Sequence, residues 1–105
     1  MKKYLFQMAR ERAEELYEQF PEDPAIMILL AEICTKLSDF LTAARLSDKL
    51  LIQNSEDAER LLRAGDSWLM VGEYDKAVEL STQAKATGDH QTNACLLLVN
   101  IYSRS

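Results

Sequence analysis

The sequence has little glycine and even less proline, with three Gly and two Pro among 105 residues. A turn-rich all-β chain needs more of both, so that class is disfavoured. Histidine occurs once and cysteine twice, which leaves little material for a zinc site or a thiol–imidazole pair. Glycine-rich phosphate loops and metal-ligand spacings are missing as well. No enzyme, cofactor or metal is therefore expected. Positive charge is scarce: 12 Lys and Arg stand against 17 Asp and Glu, a net charge of −5. That is the wrong sign for a protein that neutralises phosphates, so nucleic acid is not an expected partner. No apolar run approaches the roughly 18 residues of a membrane span. Met1-Lys2-Lys3 imitates the start of a signal peptide, but the apolar stretch Tyr4-Leu5-Phe6 stops at Gln7. A signal peptide needs roughly 7–15 apolar residues there. Cys34 and Cys95 are not close-spaced, and a chain of this size needs no disulfide. The expected compartment is the reducing cytoplasm.

What is present is an ordinary globular balance, 48% hydrophobic and 28% charged, in a length that fits one domain. The sequence also repeats. Displaced by 34 residues it falls on itself: Phe6, Phe40 and Tyr74 align, then Ala9, Ala43 and Ala77, then Leu16, Leu50 and Ala84. A second set aligns Met27, Leu61 and Cys95; Leu30, Ala64 and Leu98; Ala31, Gly65 and Val99; and Cys34, Trp68 and Tyr102. Within each period the apolar residues step by three and four, as on one face of a helix. Phe40, Ala43, Ser47, Leu50 and Leu51 form one such face, and Leu61, Ala64, Gly65 and Trp68 form another. Pro21-Glu22-Asp23-Pro24, Asn54-Ser55-Glu56-Asp57 and Gly88-Asp89-His90-Gln91 separate the periods and offer capping side chains. Shorter breaks fall at Leu37-Ser38-Asp39 and Val71-Gly72-Glu73, where Gly72 suits a left-handed helix end. The pattern predicts an all-α chain of about six helices near 2–20, 24–36, 39–53, 56–70, 73–86 and 91–102.

These residues resemble the tetratricopeptide repeat, a 34-residue helix–turn–helix unit with small residues at repeat positions 8, 20 and 27. Residues 58–91 match best, with Gly65, Ala77 and Ala84 at the small positions, Trp68 at 11 and Tyr74 at 17. Residues 24–57 form another repeat. Residues 1–23 resemble the second helix of a preceding repeat, and 92–105 the first helix of a following one. The resemblance implies a single domain, an antiparallel helix-hairpin stack wound as a right-handed superhelix. Its implied role is protein–protein interaction, as a small chaperone or adaptor. The pentatricopeptide repeat, which binds RNA, is the nearest confusable family. The 34-residue spacing and the acidic balance argue against it.

In such a stack the first helix of each hairpin lines a concave wall. Repeat positions 2, 5, 9, 12 and 13 lie opposite the packing face at about 100° per residue. Position 5 is Ile28, Leu62 and Leu96; position 9 is Glu32, Asp66 and Asn100; Leu69 and Met70 occupy 12 and 13 of the middle repeat. Arg63 lies on the flank. Together these residues form the expected partner-binding groove, apolar at its centre and acidic beside it. It suits an amphipathic helix carrying Lys or Arg. Ile28, Leu62 and Leu96 packing against one another along the wall is the competing reading. A well-known subgroup of the family grips C-terminal carboxylates of chaperone tails with Lys, Asn and Arg. Ile28, Glu32, Asn93 and Leu97 stand at those places here and only Arg63 is suited, so that mode is not expected. Small tetratricopeptide chaperones of bacterial type III secretion are similar in size and style. His90 reads as a surface turn residue, and Cys34 and Cys95 as buried, inert thiols. Cys95, Leu98, Val99 and Tyr102 lie on a final helix with nothing after it to cover them. That end is the expected contact if the protein instead works by self-association or as a fragment of a longer scaffold.

Overall fold

The computed structural model describes residues 2–104, with side chains from Tyr4 to Arg104. It contains α1 (Lys2–Gln19), α2 (Pro24–Lys36), α3 (Phe40–Gln53), α4 (Ala58–Val71), α5 (Tyr74–Ala86) and α6 (Gln91–Arg104). Every helix packs antiparallel-fashion on its sequence neighbour. None is long and apolar enough to cross a membrane among the described residues.

Local chemistry fixes the helix starts. Asp23 accepts from the Ala25 N–H at 2.9 Å, with Pro24 in the first turn where a missing N–H costs nothing. Asp39 accepts from the Thr42 N–H at 3.3 Å and the Thr42 hydroxyl at 2.8 Å. Asp57 accepts from the N–H groups of Glu59 and Arg60. Gly72 ends α4 at φ +100°, a conformation open to glycine and strained for other residues.

The packing faces follow the predicted stepping. One core cluster gathers Ala13, Met27, Leu30, Ala31, Cys34, Ala43, Leu46 and Leu50 around α2. The other gathers Ala44, Leu61, Ala64, Trp68, Leu69, Ala77, Leu80 and Ala84 with Ala94, Leu97 and Ile101 of α6. The α3 helix serves both. Ser47 and Ser81 are buried at equivalent positions, and each hydroxyl donates to the carbonyl one turn back, Ala43 at 2.9 Å and Ala77 at 2.8 Å. Buried hydroxyls thereby cost no unsatisfied polar atom.

One expectation changes. The starts of α2 and α4 are 34 residues apart, but those of α4 and α6 are 33 apart. The shortfall is a one-residue-shorter α5 followed by a four-residue turn with Gly88 at φ +85° and His90 at φ +53°. A one-residue slip turns a helix by about 100°. The buried face of α6 is therefore Ala94, Leu97 and Ile101, not Cys95, Leu98 and Tyr102. Cys95 is exposed, which corrects its expected place in the core, and Leu98 is half-buried. Leu97 lies over Gly65: a Cβ there would meet its Cδ2 at 3.2 Å and the Ser81 Oγ at 3.2 Å. Glycine at that point lets α4 and α6 approach directly. The first helices are joined along one side, α4 to α6 at Gly65 and α2 to α4 by the Glu32–Arg63 ion pair at 3.5 Å. That α2–α4–α6 side is the wall on which the expected groove lies.

An ion pair ties α1 to the α2–α3 turn. Arg10 Nη2 meets Asp39 Oδ2 at 2.9 Å, and Arg10 Nε meets Glu14 at 3.5 Å. Burial alone would push the Asp39 carboxyl up. The Thr42 hydrogen bonds and the Arg10 guanidinium outweigh it and hold the carboxyl below its ordinary value. A carboxyl depressed in the folded state adds stability above its unfolded value, and that stability is lost as pH falls through the folded value. Arg10→Met is expected to lower stability at pH 7 by up to about 1 kcal/mol, the range for partly exposed pairs. The gap should close in melts as pH falls through the depressed folded value of the Asp39 carboxyl, where the group becomes protonated. A gap of constant size across that range would assign the loss to packing.

Candidate partner-binding wall

The inner wall is built from the solvent side of α4 and the first turns of α6. Leu62 and Arg63 are neighbours on α4, about one turn before Asp66, and with Glu59, His90 and Asn93 these residues line a shallow pocket of about 520 Å³. Leu62 is half-buried, its inner edge packed against the core and its outer edge forming the pocket floor. Ile28 is in the same situation on α2, packed against the first core cluster. The two aliphatics thus belong partly to the core and partly to the wall.

Charge surrounds this floor. Glu32 and Arg63 form an ion pair at 3.5 Å that bridges α2 and α4. Arg63 is therefore already partnered, while Glu59 and Asp66 are exposed. The wall is acidic on balance. Met70 is exposed at the end of α4, and Arg104 Nη1 lies 3.4 Å from its Sδ, linking α4 to the last turn of α6. Asn100 is exposed on α6.

Two expected groove residues belong elsewhere. Leu69 is only 4% exposed and sits in the second core cluster. The middle helix α4 has α3, α5 and α6 packed on it, so its buried face is wider than that of α2 and takes in repeat position 12. Leu96 is 58% exposed, but it lines a separate depression of about 390 Å³ with Gln91, Thr92, Cys95 and Val99. The 33-residue step turns it away from Leu62. Cys95, Val99 and Tyr102 form an exposed stripe beside it, with Leu98 half-buried behind. Glu59, His90 and Asn93 were missing from the expected groove. Glu59 occupies repeat position 2, which the helical arithmetic assigns to the wall; Asn93, counted on the 33-residue step, falls one place later, at position 3. His90 reaches the pocket only because of the left-handed turn.

Neither thiol points to chemistry. Cys34 is fully buried, and burial raises its thiol above the ordinary value. Among the described residues no three His, Cys, Asp or Glu side chains cluster so as to hold a metal ion.

No family model matches the sequence, and no curated protein matches it. Among solved structures it is similar to a chain described as the first TPR of Spaghetti (RPAP3) bound to HSP90 peptide SRMEEVD. The superposition has a TM-score of 0.80 at 14% identity and covers 98% of this chain and 82% of that one. At that identity the likeness establishes the fold, a tetratricopeptide-type stack of helical hairpins.

Proposed function

We propose that the protein is a peptide- or helix-binding module, a small adaptor or chaperone, whose partner lies along the α2–α4–α6 wall. The observation that carries this reading is the pocket around Leu62: an apolar floor rimmed by Glu59 and Asp66. The solved neighbour carries a peptide, SRMEEVD, so the fold is compatible with peptide binding. The wall chemistry here favours a different ligand. An acidic tail would meet Glu32, Glu59 and Asp66, with Arg63 already paired. The proposed ligand is an amphipathic segment with aliphatic anchors on one face and Lys or Arg on the other. A chaperone of the type III secretion kind, shielding an aggregation-prone subunit, fits this description in size and groove polarity. The experiment is a fluorescence-anisotropy titration with a helical peptide of Leu and Lys faces and a twin in which Glu replaces Lys. The Lys peptide should bind and the Glu twin should not; preference for the Glu twin would refute the reading.

A second reading, self-association, is favoured by the exposed apolar residues at both ends of the stack. These are Leu5 and Met8 on α1 with Phe20 just beyond it, and Leu96, Val99 and Tyr102 on α6. If they join copies, light scattering after size exclusion should give a mass above that of one chain, and Val99→Glu should reduce it. A monomer at high concentration before and after the change removes this reading.

A further inference from the structure

Around the Leu62 pocket the wall carries three carboxylates, Glu32 on α2 and Glu59 and Asp66 on α4, with the Arg63 guanidinium among them. Arg63 is placed within reach of all three. Glu59 precedes it by four residues and Asp66 follows it by three, so both stand one turn away on its own helix. It pairs with neither. Its Nη1 reaches across to Glu32 Oε1 on α2, at 3.5 Å. The side chain is thus a strap from α4 to α2, and the pocket opens on the other side of it. Its lining comes from α4, from His90 and from Asn93 on α6, and none of it from α2.

The strap is loosely held. Arg10 and Asp39 meet at 2.9 Å and Lys76 and Asp48 at 3.2 Å, so among the described residues the Glu32 pair is the longest that joins one element to another. It is a contact through one guanidinium nitrogen, and the Glu32 side chain is 57% exposed. Pairs so exposed stabilise a fold little. Both partners reach solvent, so parting them strands no charge in an apolar interior.

We infer that Arg63 is the specificity-determining residue of the wall, a resident cation that holds the place on Glu32 which a basic side chain of the ligand takes over. On binding, the ligand's cation pairs with Glu32. Arg63 turns back along α4 to Glu59, an i, i+4 arrangement with the acid first, which is the favourable order. Ile28, half-buried one turn before Glu32, then joins Leu62 in the apolar floor. An acidic ligand gains nothing by the same exchange. It would leave Glu32 unpaired and meet Glu59 and Asp66. Selectivity is thereby a difference between two cations competing for one carboxylate. This inference rests on the wall reading proposed above and names the residue that sets its charge preference.

The test is a double-mutant cycle on the intact chain with Arg63→Gln, Glu32→Gln and the two combined. Fluorescence anisotropy with the Leu–Lys helical peptide and its Glu twin gives the affinities, and helical circular dichroism checks that each variant is folded. Arg63→Gln should tighten the Lys peptide several-fold, because Glu32 is then free. Glu32→Gln should weaken it and improve the Glu twin, because Arg63 is then unpaired. In the Glu32→Gln background, Arg63→Gln should give only a small part of the gain it gives in the parent. The Arg63 Nε–H resonance of the parent should also move as the Lys peptide saturates. Equal gains in the two backgrounds would make Arg63 merely a nearby like charge, and the inference would fall while the wall reading stands. An unmoved Arg63 resonance at saturation would do the same. Failure of the Lys peptide to bind either the parent or Arg63→Gln would overturn both.

Discussion

Trp68→Ala is expected to lower the unfolding free energy by roughly 3–5 kcal/mol, the range for truncating a buried tryptophan. The ring is 9% exposed and closes the cleft between α3 and α5. Ala44, Ala64 and Ala77 in the same cluster are too short to fill the space, so only a partial relaxation of the leucines around it could offset the cavity. The substitution also removes the hydrogen bond to Asp48 and the ring beneath Lys76. Those two groups keep their own ion pair at 3.2 Å and are partly exposed, so neither becomes a buried orphan. The loss is thus dominated by apolar area and cavity. It would consume much of the roughly 5–15 kcal/mol that a domain has in total. Urea denaturation followed by helical circular dichroism measures it. A loss near zero would mean that the ring does not close the α3–α5 cleft.

Leu62→Lys should act on binding more than on folding. The lysine stem can lie along the half-buried edge that Leu62 occupies and carry its ammonium out toward Glu59 and Asp66. The folded state should therefore lose only about 1 kcal/mol, near the average cost of a substitution. A ligand with a basic face meets a new charge at the desolvated centre of its site. Central apolar anchors carry most of the energy of such interfaces, so the expected loss is about 2 kcal/mol or more, roughly 30-fold in Kd. Raising salt should weaken the parent complex only modestly, because Glu32, Glu59 and Asp66 are exposed and supply steering. Unfolding of the variant would assign Leu62 to the core and remove it from the wall.

The hairpins, the cap at Asp23 and the burial of Trp68 were legible in the sequence, because each rests on local chemistry or on a period that recurs within one helix; Asp39 and Asp57 prove to be caps of helices that start one and two residues later than the pattern placed them. The 33-residue step was not. Cys95 pairs with Leu61 about as well by residue class as Ala94 does, and only the geometry of the Gly88–His90 turn decides between them. The burial of Leu69 depends on α6 approaching α4 across Gly65, a consequence of tertiary packing that no spacing within α4 records.

The central claim is that the inner wall holds the ligand, and its most direct test is NMR shift mapping of the intact chain during titration with the Leu–Lys amphipathic peptide. Saturable changes concentrated on Ile28, Leu62, Asp66 and Asn93 are the predicted result. Changes concentrated on the outer helices, at Glu15 on α1 or Glu79 on α5, with the wall unmoved, would contradict it.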